Sequence, residues 1–96
     1  MRVKDINSKE TIQDLTDRGF QLYKGEQVGC QRNETYYCYF DGKKRSGNES
    51  PTILIDTFNG RIWFKQTTTY FMRPIPDVLI DMIQDGIIEK SEGLDN

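Results

Sequence analysis

Thr52–Thr67, TILIDTFNGRIWFKQT, decides how this chain folds. Asn59-Gly60 between two β-prone runs is the strongest short-range hairpin signal, because a type I′ turn needs positive φ at both central residues. With those two residues as the loop, Phe58 faces Arg61, Thr57 faces Ile62, Asp56 faces Trp63, Ile55 faces Phe64 and Leu54 faces Lys65. Opposed side chains share a face of a pleated sheet, so Ile53, Ile55, Ile62 and Phe64 make an apolar core face. The other face carries Leu54, Phe58 and Trp63 among Asp56, Arg61 and Lys65. That mixture suits a binding surface better than a core.

Upstream, Phe20–Lys24, Gln27–Arg32 and Thr35–Phe40 read as further strands, giving an antiparallel sheet of three to five strands. Gln27–Arg32 has poor β propensity because of Gly29 and its polar neighbours. In Thr35–Phe40 the run Tyr36-Tyr37-Cys38-Tyr39-Phe40 alternates, so Tyr36 and Phe40 go to one face and Tyr37 and Tyr39 to the other. Taking Asn33-Glu34 as a two-residue turn sets Cys30 opposite Tyr37 with Cys38 on the other side of the sheet, which excludes a disulfide between them. Asp41–Pro51, DGKKRSGNESP, has no periodicity and reads as a mobile loop.

Two helices flank these strands. The first is expected to start at Asn7, capping the amide of Glu10, and to end at Gly19 as a left-handed C′ residue with Phe20 touching Leu15. Its apolar stripe is only Ile12 and Leu15. In the second, Pro76 fits the first turn, Val78, Leu79, Met82 and Ile83 repeat at helical spacing, and Gly86 closes it with Ile87 against Met82. Both helices thus end with the same device, and the six residues after them, 91–96, are expected to fray. The fold class is α+β: a two-layer sandwich in which an N-terminal and a C-terminal helix cover the Ile53, Ile55, Ile62 and Phe64 face of one antiparallel sheet. Residues 1–96 form one domain.

Composition narrows the functional classes. No apolar run approaches 18 residues and the start, MRVKDINSKE, is charged, so a soluble cytoplasmic protein is expected, with no membrane span and with its two Asn-x-Ser/Thr sequons unused. From Asp77 onward there are six acids against Lys90 alone, while residues 1–76 hold twelve bases against nine acids. Neither half has the charge density of a duplex-DNA binder. With no histidine and no CxxC spacing, the common zinc sites and histidine-assisted nucleophiles drop out, and no metal, cofactor or catalytic residue is expected. Asp77, Asp81 and Asp85 make one carboxylate stripe on the second helix, and Asp85 sits unfavourably at a helix carboxyl end, a hint of use in binding.

The functional expectation is therefore a non-catalytic protein-interaction module. Its partner-binding surface is Leu54, Phe58, Arg61, Trp63 and Lys65 together with Tyr37 and Tyr39, and Lys43, Lys44 and Arg45 on the loop could meet phosphate or an acidic partner. The alternative is a single-stranded nucleic-acid binder that stacks bases on Tyr37, Tyr39 and Trp63. A homodimer through an edge strand or the open face is a third arrangement. In size and texture the chain resembles the short accessory proteins that bacteriophages and other mobile elements encode, among which stoichiometric inhibitors such as anti-CRISPR proteins are common. No motif carries that resemblance, and it assigns no residue a role.

Overall fold

The computed structural model describes residues 1–29, 34–40, 45, 47, 49–64 and 75–89. In chain order the elements are β1 (Arg2–Val3), α1 (Lys9–Asp17), β2 (Gln21–Lys24), a 3-10 turn (Gly25–Val28), β3 (Thr35–Tyr39), β4 (Ile53–Asp56), β5 (Ile62–Phe64), α2 (Asp77–Gln84) and β6 (Ile88–Glu89). The fold is α+β: an antiparallel four-stranded sheet ordered β2-β3-β4-β5, a second two-stranded sheet β1-β6, and two helices. The helices are not the terminal elements expected, since β1 precedes α1 and β6 follows α2. Two-residue strands leave no alternation to detect in a sequence.

β4 and β5 form the expected hairpin, but two residues out of the expected register. Ile53 lies opposite Phe64, Leu54 opposite Trp63 and Ile55 opposite Ile62. The loop is therefore Thr57–Gly60. Asp56 N–H donates to Arg61 C=O at 2.9 Å, and Gly60 N–H donates to Asp56 C=O at 2.9 Å. Asn59 does not take the positive φ that a type I′ turn requires, whereas Gly60 does, at +77°. Local side chains explain the difference: Asp56 Oδ1 accepts the Phe58 N–H at 2.7 Å and Asn59 Oδ1 accepts the Arg61 N–H at 2.9 Å. Such short polar side chains offer the backbone a loop of their own design. A slip of two residues preserves facing, because strand side chains have period two. Ile53, Ile55 and Ile62 are accordingly buried as one apolar set.

The remaining corrections are local. α1 is capped by Ser8 rather than Asn7: Ser8 Oγ accepts the Thr11 N–H at 3.1 Å. Pro76 is the residue just before α2, not inside its first turn. Gln27 and Val28, expected in a strand, belong to the 3-10 turn, and Gln27 folds back so that its Oε1 accepts the Lys24 N–H at 2.9 Å. β2 consequently pairs directly with β3, with Leu22 opposite Tyr37 and Tyr23 opposite Tyr36. Cys38 is buried, and its Sγ donates to the Tyr36 carbonyl at 3.7 Å. Cys30 and Asn33, most of the expected loop 41–51, and the expected frayed tail 91–96 lie outside the described residues.

The shared helix ending is present at both places. Phe20 N–H donates to Leu15 C=O and Gly19 N–H to Thr16 C=O, while Ile87 N–H donates to Met82 C=O and Gly86 N–H to Ile83 C=O. These are paired Schellman bonds that satisfy otherwise orphaned carbonyls. Leu15, Phe20, Leu79 and Met82 then join Ile53, Ile55 and Ile62 in one core cluster with Val3, Ile6 and Ile88. The Asp85 carboxylate is engaged within the chain by Arg18, which also bonds Asp14 at 2.7 Å. The hydrogen bond to Asp14 is the main reason the Arg18 guanidinium stays above its ordinary pKa, against a lowering from burial. A cation shared by the carboxyl ends of two helices offsets the misplaced Asp85 charge.

β1 seats on the hairpin loop. Val3 N–H donates to Gly60 C=O at 2.8 Å, and a Cβ on Gly60 would stand 2.5 Å from the Val3 carbonyl oxygen. Gly86 has a similar φ of +78° but open space around it. Gly86→Ala should therefore cost only the left-handed backbone, about 1 kcal/mol. Gly60→Ala should cost roughly 2 kcal/mol more, because β1 must also be displaced. Urea unfolding of the two variants measures the difference, and equal losses would mean that β1 does not rest on Gly60.

Candidate functional site

The register of β3 against β4 decides which aromatics share a surface. Tyr37 lies opposite Ile55 and Tyr39 opposite Ile53, so both belong to the side of the sheet that carries the main core. Both pack against that core cluster, Tyr39 at 5.2 Å from the Phe20 ring. The expected grouping of Tyr37 and Tyr39 with Trp63 is thus not assembled. The sequence alternation separated two sets correctly but could not tell which set met Trp63, since that depends on the partner strand.

Tyr36 and Cys38 instead lie opposite Asp56 and Leu54, on the Trp63 side. There Val28, Tyr36, Cys38 and Phe40 form a second buried cluster, with Tyr23, Leu54 and Trp63 packed on it. This face is therefore covered over β2 and β3 rather than open along its whole width. Part of the cover is Arg45, expected as a phosphate or acidic-partner contact. Its guanidinium sits 5.2 Å from the Tyr23 ring centre and 5.9 Å from that of Phe40. It donates to the Gln27 carbonyl at 2.6 Å and the Glu49 carbonyl at 3.1 Å. Cation–π contact and two charge-assisted hydrogen bonds hold the side chain onto the sheet. Lys43, Lys44 and Lys65 lie outside the described residues.

At the β5 side the same face stays accessible. Trp63 is half-buried, its ring meeting Tyr36 edge-on at 6.1 Å and 77°. The exposed Arg61 lays its guanidinium 5.2 Å from the Trp63 ring centre. Leu54, half-buried, lies directly opposite Trp63. Phe58 is 86% exposed at the loop tip, where it lines an open groove with Arg2–Ser8, Asn59 and Glu89. Of the residues expected to bind a partner, the structure brings together Leu54, Arg61 and Trp63. It adds one that sequence reading missed: Arg2, opposite Arg61 in an isolated antiparallel bridge.

Among the described residues, no three histidine, cysteine, aspartate or glutamate side chains converge where a metal ion could sit. Among the same residues, no helix is long and apolar enough to cross a membrane.

If Arg45 holds the second cluster shut, Arg45→Ala should lower stability by about 1–2 kcal/mol in urea. Arg45→Lys should recover only part of that, because an ammonium lacks the planar fork. Coincident unfolding midpoints for wild type and Arg45→Ala would show that the side chain contributes no cover. Comparison with protein-family models, with curated proteins and with solved structures finds no match to this chain.

Proposed function

We propose that this protein is a non-catalytic interaction module, of the small accessory or inhibitor kind, that docks on a protein partner through Leu54, Arg61 and Trp63. In this reading α1 and α2 screen the Ile53, Ile55 and Ile62 face, and the β5 end of the opposite face does the binding. One observation carries it: a guanidinium stacked on a half-exposed tryptophan ring. Trp and Arg dominate the residues that contribute most at protein interfaces, and a pre-stacked pair has less side-chain entropy left to lose on docking.

The nucleic-acid alternative loses its platform. Tyr37 and Tyr39 are on the other side of the sheet, Arg45 is committed to backbone carbonyls, and the Trp63 ring already carries Arg61. An unpaired base needs a free ring face to stack on.

Trp63→Ala tests the docking surface, with Leu22→Ala as control, because Leu22 is 59% exposed on the far edge strand. Circular dichroism should show both variants folded. Tagged wild type and Leu22→Ala should retain the same partner from the cell of origin, and Trp63→Ala should lose it. Retention by a folded Trp63→Ala would overturn the surface. Salt-dependent quenching of Trp63 fluorescence by an oligonucleotide would replace the reading with nucleic-acid binding.

A further inference from the structure

The bridge between β1 and β5 puts two cations where repulsion is strongest. Val3 N–H donates to Gly60 C=O at 2.8 Å, and Ile62 N–H to Met1 C=O at 3.3 Å. The hydrogen bonds thus flank Arg2 and Arg61 instead of joining them. That makes the two a non-hydrogen-bonded antiparallel pair, whose Cα atoms are about 4.5 Å apart and whose side chains are the closest of any cross-strand pair. Like charges directly opposite one another are unfavourable.

Little nearby charge answers them. Glu89, opposite Arg2 on the other side, approaches it only to 3.8 Å, and both side chains are about half exposed. Asp56, across the hairpin from Arg61, is buried, with Oδ1 taken by the Phe58 N–H. Arg61 makes no ion pair among the described residues, and its guanidinium is set in place by the Trp63 ring. Arg2 thus has one loosely held carboxylate and Arg61 has none among the described residues, beside an apolar floor of Leu54 and Trp63.

We propose that Arg2 and Arg61 form a clamp for a carboxylate side chain from an acidic segment of the partner protein. The inference rests on the reading of the Trp63 surface as the docking face. A planar guanidinium fork matches a carboxylate in two hydrogen bonds, and with Glu89 already beside Arg2 an incoming carboxylate leaves two cations facing two anions. The chemistry favours a carboxylate over a nucleic-acid phosphate here, because bases accompanying a phosphate would find the Trp63 ring already stacked.

Hexaglutamate, which has no aromatic residue, is a suitable probe for the isotope-labelled full chain at low ionic strength. Titration should shift the Trp63 indole N–H and the Arg2 and Arg61 side-chain N–H resonances along one saturable curve. Arg2→Gln and Arg61→Gln, with the rest of their spectra unchanged, should each weaken binding about fivefold. Absence of those shifts, or wild-type affinity in both variants, would overturn the clamp. So would an oligothymidylate that saturates the same resonances at lower concentration. The two proposals fail separately: loss of partner by Trp63→Ala together with unaltered hexaglutamate binding by the arginine variants removes the clamp and leaves the docking face. Retention of partner by Trp63→Ala removes the face itself.

Discussion

The structure depends on the absence of one side chain. Gly60 takes a left-handed φ at the end of the hairpin loop and leaves the space that the Val3 backbone fills, with the Val3 N–H bonded to the Gly60 carbonyl. That approach lets β1 lie along the β5 side of the sheet and buries Val3 and Ile6 in the main cluster. β6 then pairs with β1, with Val3 opposite Ile88, so the element after α2 is tied to the start of the chain through the same seat. A glycine at this position therefore acts twice, once on the dihedral and once on the contact.

The two faces of the sheet divide the labour that follows. One gathers apolar side chains from β1, α1, β4, β5, α2 and β6 into a single cluster. The other is covered unevenly: Val28 from the 3-10 turn and Arg45 from between β3 and β4 lie against the cluster of Tyr23, Tyr36, Cys38 and Phe40, while Trp63 stays half-exposed beside Arg61. The contrast between the two arginines is informative. Arg45 directs its donors to backbone carbonyls and acts as a strap, whereas Arg61 rests over a ring and remains exposed.

Much of this was legible in the sequence where a rule is local. Gly19 with Phe20 and Gly86 with Ile87 announced the two helix ends, because a Schellman motif is written in adjacent residues. The core face of Ile53, Ile55, Ile62 and Phe64 survived a wrong loop length, since an even slip leaves parity untouched. The four-residue loop itself was hidden in Asp56 and Asn59, whose side chains replaced the type I′ geometry that Asn-Gly favours. Tyr37 and Tyr39 were assigned to the wrong surface because alternation fixes which residues travel together, not which neighbours they meet. Arg2 could not be found at all: a two-residue strand has no period, and its opposition to Arg61 exists only once Gly60 has admitted β1.

The central claim, that Gly60 seats β1 so that Arg2 and Arg61 oppose each other beside Trp63, is tested most directly by cross-strand nuclear Overhauser effects in the labelled protein. A non-hydrogen-bonded antiparallel pair brings its two α-protons close together. A strong Arg2 Hα to Arg61 Hα effect, together with slow exchange of the Val3 amide, is the predicted result. Loss of that effect alongside free exchange of Val3 would contradict the account, because β1 would then not lie on the hairpin and the paired cations would not exist.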